Sequence, residues 1–152
     1  MNKVTIFVDG AIAGSRQTGV AAICKSPTGH FVGWLSRQMK RMTNNEAEYQ
    51  AVLLGLELAG QLGATKVEIV SDSEVVVRQM MGYSRVNSAR LKKLHHETCQ
   101  VVRHFQEVTF RNVGREQNKV ADALAADALA GEVVKMPAAN SGWERLLSLA
   151  GR

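Results

Sequence analysis

Cysteine, internal repeats and long apolar stretches are all scarce in this chain of 152 residues, and each scarcity argues against a class of protein. The two cysteines, Cys24 and Cys99, lie in apolar patterns with no CxxC pair or Cys/His cluster, the wrong arrangement for a zinc site or a disulfide scaffold. Two reduced, buried thiols without a chemical role are expected instead. The opening segment, MNKVTIFVDG, sets no apolar run behind its charge, and no window is long enough to cross a bilayer. No membrane partner is therefore expected, and the expected location is cytoplasmic. Acidic residues are in deficit: 14 against 19 Lys and Arg give a net charge of +5 and a pI near 9.5, a balance that favours a polyanionic partner. A chain of this length can bury a core without a covalent or metal staple.

The pattern of apolar residues gives the element order. KVTIFVDG alternates Val4, Ile6 and Val8 with Thr5, Phe7 and Asp9, the period of a strand, and ends on an acid followed by Gly. GVAAICK and HFVGWLSRQ read as two further strands joined by the turn residues SPTG, so the first three elements form an antiparallel meander. Thr43 and Glu46 make a capping box that starts a helix, with apolar residues at 47, 51, 54 and 58 and with Gly60 and Gly63 to stop it. TKVEIVSDS is a short β-branched strand ending in Asp72, and SEVVVRQMMG continues as a helix. ARLKKLHHETCQVVRHFQ has a helical period through position 105, VTFRNV is a strand, and NKVADALAADALAG is an Ala/Leu helix closed by Gly131. The order is βββ–α–β–α–α–β–α, an α/β protein with a five-stranded mixed sheet: three antiparallel strands, then parallel crossovers, with helices on both faces. The domain is expected to span residues 1–131. Residues 132–152, with Pro137 and an amphipathic WERLLSLAG, form a tail that is either flexible or docks.

Parallel strands linked by crossovers gather ligands at their carboxyl ends. Asp9 and Asp72 both end such strands, and on neighbouring strands they stand about 5 Å apart. Glu48 shares a helix face with Ala51, Val52 and Gly55, at the margin of the stripe to be buried, where an unpaired carboxylate is costly. Alone it reads as a half-exposed border residue. With other acids at the same place and a cation between them, it reads as a ligand. Either Asp122 or Asp127 of the last helix is suited to complete the cluster, and ligands made only of oxygen select Mg²⁺ or Mn²⁺.

Four segments, VDGA at 8–11, TNNEAEYQAVLLGL at 43–56, VSDSEVVVRQMMG at 70–82 and REQNKVADALA at 115–125, resemble the successive motifs of type 1 ribonuclease H. The resemblance runs from residue 4 to 130 and implies the ribonuclease H-like fold. It sets Asp9, Glu48, Asp72 and Asp122 on the family's metal-binding carboxylates, and Asn44, Asn45 and the Gly10 backbone where the RNA strand is approached. It implies hydrolysis of RNA paired with DNA, with two Mg²⁺ ions (or Mn²⁺) per site and 5′-phosphate products, by a monomer. Arg115 falls in the loop before the last helix, where some members carry a His, and is expected to handle phosphate or product. The chain departs from the family in three places. The loop after Asp9 lacks an Asn-Pro-Gly segment, Glu74 stands where many members have Gln, and the basic Trp-containing handle is absent. The face of Arg90, Lys92, Lys93 and His96 is the expected seat for DNA phosphates. Two other readings compete: a non-catalytic nucleic-acid-binding module of this fold, and a nuclease for another duplex such as double-stranded RNA.

Overall fold

The computed structural model describes residues 3–12, 14 and 16–135. The elements follow the expected order: β1 (Lys3–Ala11), β2 (Gln17–Lys25), β3 (Phe31–Lys40), α1 (Asn44–Gln61), β4 (Lys66–Ser71), α2 (Glu74–Met80), α3 (Ala89–Val102), β5 (Glu107–Asn112) and α4 (Lys119–Leu129), with a short 3-10 turn, Arg115–Gln117, before α4. The strands form one sheet in the order β3-β2-β1-β4-β5. β1, β2 and β3 pair antiparallel, whereas β1–β4 and β4–β5 pair parallel. The turn over residues 26–29 closes through Ser26 N–H to the His30 carbonyl at 2.7 Å and uses Gly29 at φ 90°.

The alternation of each strand divides the sheet into two faces. Val4, Ile6 and Val8 of β1, Val20, Ala22 and Cys24 of β2, and Val67 and Ile69 of β4 point into one core, covered by α1. α3 packs in turn on α1. Gly19 points the other way, and its missing side chain is what lets α4 approach: a Cβ there would lie 2.0 Å from the Ala125 carbonyl oxygen. Gly55 does the same for α1, since its Cβ would meet Val8 Cγ1 at 2.7 Å. Both helices are therefore seated directly on strand backbone or short side chains, near the end of β1 that carries Asp9. α1 begins as its capping box dictates, with Glu46 N–H to Thr43 Oγ1 and Thr43 N–H to Glu46 Oε1, both at 3.2 Å. Buried Tyr49 donates to Gln79 Oε1 at 2.7 Å and so ties α1 to α2.

Two boundaries differ from the sequence expectation: β1 does not end on Asp9 but continues to Ala11, held by its pairing with β2, and α3 ends early. The apolar period of α3 runs on to Phe105, yet the helix stops at Val102, because Gln106 N–H must reach the Thr65 carbonyl (2.8 Å) to lead the chain into β5. Phe105 still packs against the core. Past Gly131 the chain keeps contact with the sheet, where Trp34 Nε1 donates to the Val134 carbonyl at 3.1 Å. The remainder of the tail, including WERLLSLAG, lies outside the described residues. No helix among the described residues is long and apolar enough to cross a membrane.

Candidate active site

The last register pair between β1 and β4 is Val8 with Ser71. The residues that follow, Asp9, still within β1, and Asp72, just past β4, consequently stand at the same edge where the parallel pairing stops. α1 crosses this edge and brings Glu48 with it. Glu48 is 4% exposed and Asp9 5%, and the Gly10 N–H donates to Glu48 Oε1 at 2.7 Å. One carboxylate oxygen from each of Asp9, Glu48 and Asp72 lies within 4.8 Å of the others. The first turn of α4 adds Asp122, which lines the same cleft and helps to raise Asp9. The cleft they share has a volume of ≈ 280 Å³ and is also lined by Gly10, Asn44, Asn45 and Arg115. Asp127, five residues further along α4, is exposed and is not among the lining residues.

Burial and mutual repulsion decide the charge state. Desolvation pushes Asp9 up to about 9, with Glu48, Asp72 and Asp122 as like-charged neighbours adding to the rise. Desolvation likewise raises Glu48 to about 7, opposed by the Gly10 N–H bond, and raises Asp72. Arg115 acts the other way on both Glu48 and Asp72, so its guanidinium faces the cluster from the turn before α4. Without a cation the protein can hold these acids together only by keeping protons on them. A set of hard oxygen donors with unrelieved negative charge, and no His or Cys, fits Mg²⁺ or Mn²⁺.

On one flank of the cleft, Asn44 and Asn45 form the first turn of α1. Beside them a second cleft of ≈ 410 Å³ is lined by Arg41, Thr43 and Arg90. Arg90, Lys92, Lys93 and His96 are exposed on α3, and Arg90 lies 3.8 Å from Glu46. Glu74 lies at the exposed rim of the carboxylate cleft.

One residue of the neighbourhood went unnoticed in the sequence. Asn118, 1% exposed, donates from Nδ2 to the Val8 carbonyl at 2.9 Å, and its carboxamide favours the charged form of Asp72. Its place before the last helix suggests an ordinary cap, and no local pattern announces a partner 110 residues away.

Among known proteins, residues 7–128 match the family model described as Reverse transcriptase-like. The bifunctional protein of Mycobacterium tuberculosis is 36% identical over 129 residues, covering 84% of this chain and 35% of that protein, so this chain spans little more than a third of its length. The crystal structure of RNase H1 from Halobacterium salinarum matches with a TM-score of 0.81 at 30% identity, covering 86% of this chain and 99% of that one. LC11-RNase H1 in complex with an RNA/DNA hybrid matches with a TM-score of 0.79 at 28% identity, covering 84% and 97%.

Proposed function

The chain belongs to the type 1 ribonuclease H family, and from that membership we propose that it is a metal-dependent endoribonuclease hydrolysing the RNA strand of RNA/DNA hybrids. The observation that carries the proposal is the meeting of Asp9, Glu48 and Asp72, from three different parts of the fold, with oxygens within 4.8 Å and all three carboxyls pushed above their ordinary values by burial. A purely structural role would not gather like charges in a cleft open to a ligand.

In this reading Asp9, Glu48, Asp72 and Asp122 hold two Mg²⁺ ions, with Mn²⁺ as an alternative. The ions supply the positive charge that favours in-line displacement at phosphorus and departure of the 3′ oxygen, giving 5′-phosphate products. The protein's own part is positioning. The Gly10 N–H fixes one Glu48 oxygen and with it the carboxylate at the cleft. Asn44 and Asn45 offer carboxamides to the 2′-hydroxyls of the RNA strand, the group that separates RNA from DNA. Arg115 reaches the phosphate that is cut or released. The cations of Arg41 and of Arg90, Lys92 and Lys93, with His96 beside them, continue the path along which the DNA strand's phosphates lie. Recognition of backbone and sugar alone makes sequence preference weak.

The test is incubation of labelled RNA/DNA, RNA/RNA and DNA/DNA duplexes with Mg²⁺, Mn²⁺ or EDTA. Cleavage of the RNA strand of the hybrid alone, abolished by EDTA and leaving 5′-phosphates, is expected. Equal cutting of RNA/RNA would move the substrate to duplexes generally, and tight hybrid binding without cleavage would leave a binding module.

A further inference from the structure

We propose that Asn118 is a positioning residue of the carboxylate site, its buried carboxamide tying the start of α4 to β1 so that Asp122 is set against Asp9. The inference rests on the reading of the site given above and adds to it a residue that acts through its neighbours.

The ordinary role of an Asn at this place would be helix capping, with its side-chain oxygen accepting an N–H from the first turn. Asn118 occupies the N-cap position of α4, but its side chain makes no such bond. The contrast with the other helices is clear: Thr43, Ser73 and Ser88 each accept from the backbone three residues on. The Asn118 side chain is turned instead into the sheet, where Nδ2 donates to the Val8 carbonyl at 2.9 Å. A carbonyl can only accept, so the amide must face it with nitrogen. Oδ1 is left buried without a hydrogen-bond partner among the described residues, an arrangement that costs free energy and is not what helix capping would select.

Both ends of this tether lead directly to acids. Val8 is bonded to Asp9 in the chain, and the Asn118 carbonyl accepts the Asp122 N–H at 3.0 Å. The same carboxamide favours the charged form of Asp72. One residue thus links β1, through its side chain, to the first turn of α4, through its backbone, the elements that deliver Asp9 and Asp122. Residues that orient ligands in this way commonly change metal affinity about 10- to 100-fold when removed.

Asn118→Ser and Asn118→Asp separate the tether from a cap, since Ser and Asp cap helices as well as Asn does. The shorter hydroxyl cannot span to Val8, and an ionised Asp cannot donate. Each full-length variant is checked for folding by circular dichroism. Three quantities are then read: the Mn²⁺ concentration giving half the metal-induced rise in melting temperature, and kcat and KM on an RNA/DNA hybrid. For Asn118→Ser the Mn²⁺ midpoint should rise about tenfold or more and kcat should fall by a similar factor, with KM within about twofold. A wild-type midpoint and kcat in either folded variant would make Asn118 a cap and overturn the tether, as would a change confined to KM. Should the wild-type chain bind Mn²⁺ but cut no hybrid, a shifted midpoint in Asn118→Ser would still support the tether while the hydrolase reading failed.

Discussion

The backbone N–H of Gly10 donates to Oε1 of Glu48 at 2.7 Å, joining β1 to α1 one residue beyond Asp9. The bond needs the two backbones close together, and residue 10 has no room for a side chain. A Cβ there would lie 2.8 Å from both the carbonyl carbon and oxygen of Ala47, backbone atoms that cannot rotate away. Gly10→Ala should therefore push α1 off β1 and lengthen the Gly10–Glu48 bond. Overpacking of this kind costs about 1–3 kcal/mol. For a domain of this size each kcal/mol lowers the melting temperature by about 2–4 °C. Cleavage of an RNA/DNA hybrid should fall further than stability does, by about tenfold or more, because small displacements of reacting groups are expensive. Thermal melts and single-turnover rates read the two effects separately, and a wild-type rate would show that the Glu48 placement tolerates slack.

Asp72 and Asp127 offer a paired comparison. Asp72 lines the carboxylate cleft, and Asp127 is an exposed residue of α4 outside it. Asp72→Asn preserves shape and removes charge, so hybrid cleavage should drop about a hundredfold or more while the circular dichroism spectrum is kept. Asp127→Asn should keep nearly all activity. The opposite pattern would mean that the last helix presents a different face to the site.

The parts of this site that can be read from sequence are those set by local pattern. Asp9 and Asp72 are legible because each stands at the carboxyl end of a period-two strand, two residues before the last residue of β1 and one after the last of β4, and the start of α1 because Thr43 and Glu46 satisfy each other. Glu48 taken alone reads as a border residue of a buried stripe; it is almost fully buried, held by a donor 38 residues away. Distance in sequence hides Asn118 for the same reason: its position signals a cap, and its partner on β1 appears only once the sheet is built. The end of α3 is not legible in the apolar period, which continues through Phe105, because the demand of Gln106 for the Thr65 carbonyl terminates the helix first. Period reports which residues face the core, whereas the chain's route to the next strand decides where a helix stops.

The raised pKa values make the metal-free protein sensitive to pH. Asp9 is pushed up to about 9 and Glu48 to about 7, by burial first and then by their neighbours' charge. In the unfolded chain both titrate near the ordinary carboxylate value of about 4. The folded state therefore binds more protons between these limits. The contribution to stability is complete below about pH 4 and is lost as pH rises through the folded values. In EDTA the melting temperature should accordingly fall from about pH 6 to about pH 8.5. Mg²⁺ or Mn²⁺ should reverse the fall, with a larger rise at the higher pH. Metal binding near neutral pH should also release protons, seen as a buffer-dependent heat in calorimetry. Asp9→Asn should flatten the pH dependence, and a flat profile in the unaltered protein would remove the charge argument for a metal site.

Arg115 is the cation that lines the carboxylate cleft, and its proposed role is to handle phosphate there. It opens the short 3-10 turn Arg115–Gln117, between β5 and α4, and is exposed. It lines the carboxylate cleft and favours the charged forms of Glu48 and Asp72. An exposed guanidinium adds little to folding, since solvent screens its pairing. With a phosphodiester in the cleft, its planar fork is suited to two phosphate oxygens at once. Arg115→Ala should therefore leave the melting temperature nearly unchanged and lower kcat about tenfold to a hundredfold, a loss of about 1.4 to 2.7 kcal/mol of transition-state or product-release stabilisation. Arg115→Lys separates charge from geometry. Recovery of most of the rate by Lys would assign the effect to charge alone, and a rate close to that of Ala would assign it to the bidentate contact. Single-turnover measurements beside steady-state ones then locate the step. Loss in both places Arg115 at the scissile phosphate, and loss in steady state only places it at product release. Unchanged kinetics of Arg115→Ala on an RNA/DNA hybrid would leave Arg115 as a solvated charge on the turn into α4.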